Sequence, residues 1–152
     1  MKILVTGANG QLGQDLMRVI VAAGDEAVGI DIDTVDITSR ETVHDALVTI
    51  HPDAVINCAA FTAVDACEDN AETAMLVNGT AVRWVTEASD AVGAHLVHVS
   101  TDYVFDGTKI GPYVETDTPN PQSVYGSTKL AGELEALANG AGVAVVRTSW
   151  VC

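Results

Sequence analysis

A chain of 152 residues with 48% hydrophobic content is the size of one domain and apolar enough to bury a substantial core. Seven Lys and Arg against 21 Asp and Glu give a formal charge of −14, a surface that repels phosphate backbones and anionic lipid and so argues against nucleic-acid and membrane-surface binding. No apolar run approaches the roughly 18 residues of a membrane span, and the N-terminus enters a motif without a basic leader or cleavage site, so a cytoplasmic protein is expected.

Residues 2–6 are a short apolar run that reads as a strand, and 11–23 carry Leu12, Leu16, Val19, Ile20 and Ala23 at helical spacing. Between them lies Gly7-Ala8-Asn9-Gly10-Gln11-Leu12-Gly13. Glycines here let the backbone turn sharply and approach a pyrophosphate, while the helix N-terminus offers unpaired N–H groups and partial positive charge. The position of this turn, directly after the first strand and opening an amphipathic helix, makes it a dinucleotide-binding signal. Gly7, Asn9, Gly10, Gln11 and Leu12 are the expected contacts.

A second strand over 26–32 contains Asp31, placed to hydrogen-bond the adenosine ribose. Its charge opposes a 2′-phosphate, and no Lys or Arg lies between Asp31 and Ser39 to receive one, so NADH is favoured over NADPH. Asp36 and Ile37 are expected near adenine. A helix over about 40–50 starts near Thr38 or Ser39 and is followed by Pro52; a third strand over 53–58 then leads into Ala59 and Ala60, small side chains where the chain passes the cofactor.

A helix over roughly 73–92 precedes the strand His95–Ser100. The irregular segment 101–122 holds Pro112, Pro119 and Pro121, a helix over about 123–139 ends at Asn139-Gly140, and a fifth strand covers 143–147. Apolar strands joined by helix-sized crossovers imply an α/β fold, a Rossmann-like doubly wound parallel sheet covered on both faces. The expected strand order is 3-2-1-4-5, in a single NAD(P)-binding unit over residues 1–152.

Tyr125-Gly-Ser-Thr-Lys129 puts a phenol and an ammonium at i and i+4 on one helix face. The ammonium is expected to draw the phenol's pKa down toward a range useful for proton transfer, so that Tyr125 donates to a carbonyl oxygen as hydride arrives at carbon. Lys129 also suits the nicotinamide ribose. Thr101 or Ser100, leaving the fourth strand at the carboxyl edge of the sheet, offers a hydroxyl to the same oxygen.

Cys58, Cys67 and Cys152 form no Cys-x-x-Cys pair, and His44, His51, His95 and His98 do not fit metal-helix spacing, so no metal site is expected.

Three blocks carry a family resemblance: Ser100-Thr-Asp-Tyr-Val-Phe-Asp-Gly107, Val124-Tyr-Gly-Ser-Thr-Lys-Leu-Ala-Gly-Glu133 and Arg147-Thr-Ser-Trp-Val151. Together with the glycine turn they resemble the dTDP-4-dehydrorhamnose reductase family of extended short-chain dehydrogenases/reductases. The resemblance implies NAD(P)H-dependent reduction of dTDP-4-dehydro-L-rhamnose to dTDP-L-rhamnose. Thr101, Tyr125 and Lys129 fall on its catalytic positions, and Val64, Tyr103 and Trp150 near its sugar nucleotide. Phe61 departs from the Tyr or His of that family position, and Asn78 lies near the site or serves a structural role.

Family members continue into a C-terminal substrate domain, which the resemblance leaves beyond Cys152 together with the ligands of the Mg²⁺ that some relatives bind. The implied partners are a sugar nucleotide, a homo-oligomer or the C-terminal half. Two alternatives share the fold: a non-catalytic regulatory module resembling the β subunit of methionine adenosyltransferase, and another sugar-nucleotide epimerase or dehydratase.

Overall fold

The computed structural model describes residues 1–150, so that Cys152 lies outside the described residues. Five strands, β1 (Lys2–Thr6), β2 (Glu26–Ile30), β3 (Ala54–Asn57), β4 (His95–Thr101) and β5 (Val143–Thr148), form one all-parallel sheet. The helices are α1 (Gln11–Ala22), α2 (Arg40–Ile50), α3 (Val64–Asp69), α4 (Ala71–Met75), α5 (Ala81–Ala91) and α6 (Val124–Asn139). None of them is long and apolar enough to cross a membrane. Ser39 caps α2 by accepting from Thr42 N, as its sequence position implies. The short helix α3 is not foreseen from sequence, and its Glu68 accepts from Val124 N at the start of α6.

The Rossmann-like sheet is confirmed, but its order is β2-β1-β3-β4-β5 rather than 3-2-1-4-5. The cause lies in residues 31–39. Asp31 closes a turn in which its carbonyl accepts from Thr34 N and Val35 N, each at 2.8 Å. The chain therefore turns away instead of adding pairing outside β2. α2 then carries it back across β1, and β3 pairs with the other side of β1. A right-handed crossover in that reversed direction requires α2 to lie on the face opposite α1.

The side chains agree with that placement. Leu4, Ile30, Val55 and Leu96 join Val43 and Leu47 of α2, Val82 and Val85 of α5 and Ala136 of α6 in the main core. On the opposite face a Cβ at Gly29 would meet Ala8 and Met17, which locates α1 there over β1 and β2. The expectation that both faces are covered holds only in part, since Val146 of β5 is 48% exposed.

Between α4 and α5 the chain makes a π-helical stretch, Leu76–Thr80. It brings the backbone so close to α6 that a Cβ on Gly132 would fall 2.1 Å from the Asn78 carbonyl oxygen. Asn78 is fully buried there. Its Oδ1 accepts from Phe61 N at 2.8 Å, and its Nδ2 donates to Phe61 O at 3.0 Å and Thr128 Oγ1 at 3.2 Å. Of its two expected roles, the structure shows a clamp joining α6 to the segment after β3.

Candidate functional site

A cleft of about 720 Å³ opens at the carboxyl ends of the strands. The glycine turn forms one wall. Gly7 adopts φ +65°, and a Cβ on it would meet the Ala59 backbone nitrogen at 2.8 Å; a Cβ on Gly13 would fall 2.2 Å from the Gly7 carbonyl oxygen. No side chain caps the start of α1, and Asn9, Gly10, Gln11 and Leu12 line the cleft there.

Asp31 also lines the cleft and ties β2 to this turn. One carboxylate oxygen accepts from Asn9 N and the other from Ile32 N, both at 2.8 Å. Asp36 and Ile37 follow on the same rim. Hydrogen bonds from the side chain and backbone of Thr38 hold the Asp36 carboxyl below its ordinary pKa. Ala59 and Ala60 form the floor. They are positioned by Thr6, whose hydroxyl donates to Asn57 Oδ1 at 2.6 Å and accepts from Ala59 N at 3.3 Å.

The opposite wall holds Thr101, Tyr125 and Lys129. Thr101 ends β4, where its hydroxyl accepts from Tyr103 N at 3.2 Å and donates to Asp102 at 3.1 Å. Tyr125 lies in the first turn of α6, whose N-cap Ser123 accepts from Gly126 N at 3.0 Å. The Tyr125 ring meets the edge of Tyr103 at 5.5 Å between centroids. Lys129 is 3% exposed, and its ammonium donates to Val99 O at 2.6 Å.

The electrostatics correct one expectation. Burial raises the Tyr125 pKa above its ordinary value, with the Thr101 hydrogen bond pulling the other way, whereas the sequence pattern implies a phenol drawn down by Lys129. Desolvation of the phenolate outweighs the Thr101 hydrogen bond, the neighbouring Cys67 and Asp102 act in the same direction as burial, and the phenol is protonated at neutral pH. Lys129 is itself pushed down to about 8 by burial, against the opposing pull of Glu133 and Cys58. Burial pushes the Cys58 thiol up to about 11.

The three residues assigned to the sugar nucleotide separate. Trp150, with φ +52°, lines the cleft. Tyr103 lines a smaller cavity of about 340 Å³ with Phe105, Asp106 and Tyr113. Val64 packs with Phe61 against a cluster containing Cys67 and Tyr125. Ile32, Val35 and Val77 line the cleft with shape alone, and Thr62 and Thr148 add hydroxyls that no motif in the sequence singles out. Among the described residues, no three His, Cys, Asp or Glu side chains converge as a metal site.

The model of the RmlD substrate binding domain matches residues 1–152. The dTDP-4-dehydrorhamnose reductase of Burkholderia thailandensis is 47% identical over 151 residues, which cover 99% of this chain and 50% of that protein. The reductase of the same name from Escherichia coli is 41% identical over 155 residues, covering 99% and 52%. Among solved structures, a dTDP-4-dehydrorhamnose reductase from Clostridium acetobutylicum matches with a TM-score of 0.96 at 43% identity, covering 99% of this chain and 54% of that one. The Bacillus anthracis reductase in complex with NADP matches with a TM-score of 0.95 at 38% identity, covering 98% and 53%. The chain thus spans about half the length of the curated relatives it matches.

Proposed function

The chain belongs to the family described by the RmlD substrate binding domain, and from that premise we propose that it is the cofactor-holding, proton-donating part of a dTDP-4-dehydrorhamnose reductase. The observation that carries this reading is the single cleft where the glycine turn and Asp31 face Thr101, Tyr125 and Lys129.

The residues fit a nicotinamide dinucleotide. The uncapped first turn of α1 suits the pyrophosphate, and Asp31 suits ribose hydroxyls. Among the described residues Lys129 is the only Lys or Arg lining the cleft, which leaves none of them as a cation beside Asp31 for a 2′-phosphate. NADH is therefore favoured for this chain, although the Bacillus anthracis relative carries NADP.

When bound, the dinucleotide would supply the hydride for the sugar's carbonyl carbon. Tyr125 donates the proton to the carbonyl oxygen, a role for which its burial keeps the phenol protonated at neutral pH. Thr101 orients the same oxygen through its hydroxyl. The Lys129 ammonium stabilises the phenolate left behind and holds the nicotinamide ribose. Trp150, on the cleft lining, offers its indole to the sugar nucleotide, while Val64 and Tyr103 support the site around Tyr125.

The test is oxidation of NADH with dTDP-4-dehydrorhamnose. Residues 1–152 alone should turn over little, because holding the substrate against the nicotinamide supplies much of the rate. In the longest form that does turn over, Tyr125→Phe should lower kcat by about 100-fold or more while NADH affinity stays nearly unchanged. Near-normal turnover by Tyr125→Phe would reject the assignment.

A further inference from the structure

Glu133 is 2% exposed in the interior of α6, and a buried carboxylate at that position needs a reason. It lies one turn beyond Lys129, at i+4, and so shares that residue's helix face. Ser100 Oγ donates to its Oε1 at 2.5 Å. Arg147 of β5 grips it with a fork, Nε to Oε1 at 2.9 Å and Nη2 to Oε2 at 2.6 Å. The guanidinium in turn lies 4.9 Å from the Phe105 ring centroid, and that ring stacks on Tyr113.

One carboxylate therefore joins three elements. Val99 O receives Lys129 and Ser100 donates to Glu133, so two successive residues of β4 are tied to α6 immediately before Thr101, which lines the cleft. We propose that Glu133 is a positioning residue: it fixes the end of β4 against α6 and supplies the counter-charge that holds the Lys129 ammonium in a buried place. The inference rests on the reductase reading for its purpose, but its physical content concerns only the Glu133 contacts and the charge state of Lys129.

The groups acting on Lys129 come from several elements. Glu133 favours its charged form from the same helix, and Cys58, after β3, acts in the same direction. His98 of β4 also interacts with it, though burial drives that imidazole down to about 3 and keeps it neutral. Arg147 is engaged by Glu133. Removing the Glu133 charge should therefore lower the Lys129 pKa further from about 8. Lys129 would then lose its proton at a lower pH.

The chain contains three lysines, Lys2, Lys109 and Lys129, so the Lys129 Cε signal of lysine-labelled protein can be assigned with Arg substitutions at the other two and followed by NMR against pH. The wild-type midpoint should lie near 8, and Glu133→Gln should lower it by about one pH unit or more. Glu133→Asp, which keeps the charge, should restore most of the shift. If Glu133→Gln does not fold, Glu133→Gln combined with Arg147→Gln leaves neither charge orphaned and should shift the midpoint in the same direction by a smaller amount, because a cation is removed with the anion.

A folded Gln variant with an unchanged midpoint overturns the proposal. So does failure of both variants to fold, which would make Glu133 a folding residue only. NADH affinity forms the second arm: in the Gln variant it should fall off at lower pH than in wild type. A shifted Lys129 midpoint with no NADH binding by wild type rejects the reductase reading and leaves the role of Glu133 standing.

Discussion

His98 sits in the middle of β4 with no exposed surface, its Nδ1 3.2 Å from Asn57 Nδ2 and its Nε2 buried without a hydrogen-bond partner. Through Asn57 it continues the chain that starts at Thr6 under the glycine turn. Burial, reinforced by the charge of Lys129, drives its pKa down to about 3. The unfolded chain binds a proton at this residue below about pH 6.5 and the folded chain does not. The stability tied to the neutral imidazole is thus fully present above pH 6.5 and is lost progressively as pH falls toward 3. The slope approaches about 1.4 kcal/mol per pH unit. Urea unfolding at pH 6.5 and pH 5 should show wild type losing roughly 2 kcal/mol more than His98→Gln. Equal losses in the two proteins would contradict the account. At this scale the sequence makes Thr101, Tyr125 and Lys129 legible by chemistry and spacing. It does not reveal the His98 environment or the raised Tyr125 pKa, because both depend on how much solvent neighbouring elements remove.

The unit of strand, glycine turn and helix at the N-terminus was readable because each of its signals is local: an apolar run, glycines at the turn and helical spacing after it. It also carries a steric prediction. A Cβ at position 13 would stand 2.2 Å from Gly7 O and 2.7 Å from the Ala8 Cα, so the turn must open to admit it. Gly13→Ala should cost about 1–3 kcal/mol of stability and weaken NADH binding at least tenfold, as read by chemical denaturation and calorimetry. A variant with wild-type affinity would show that the close approach is unnecessary. Strand order was not legible, since it depends on residues 31–39 folding into turns around Asp31 instead of extending outside β2. The π-helical stretch Leu76–Thr80 escaped for a related reason: helical periodicity runs through it, and its close contact with Gly132 of α6 is made between residues far apart in the chain.

For the molecule as a whole, the net charge of −14 works against any anionic ligand, so binding must rest on local positive potential. The cleft supplies it at two points, the N-terminal turn of α1 and the Lys129 ammonium, while the carboxylates Asp31 and Asp36 also line it. In the proposed binding mode an added 2′-phosphate would meet those carboxylates. The sequence already implied this asymmetry through Asp31 and the lack of cations before Ser39, and among the described residues Lys129 is the one Lys or Arg on the cleft lining. The most direct test is calorimetric titration of NADH and NADPH into residues 1–152. The account predicts saturable one-to-one binding of NADH, at least as tight as that of NADPH; no saturable binding of either, or a clear preference for NADPH, would contradict it.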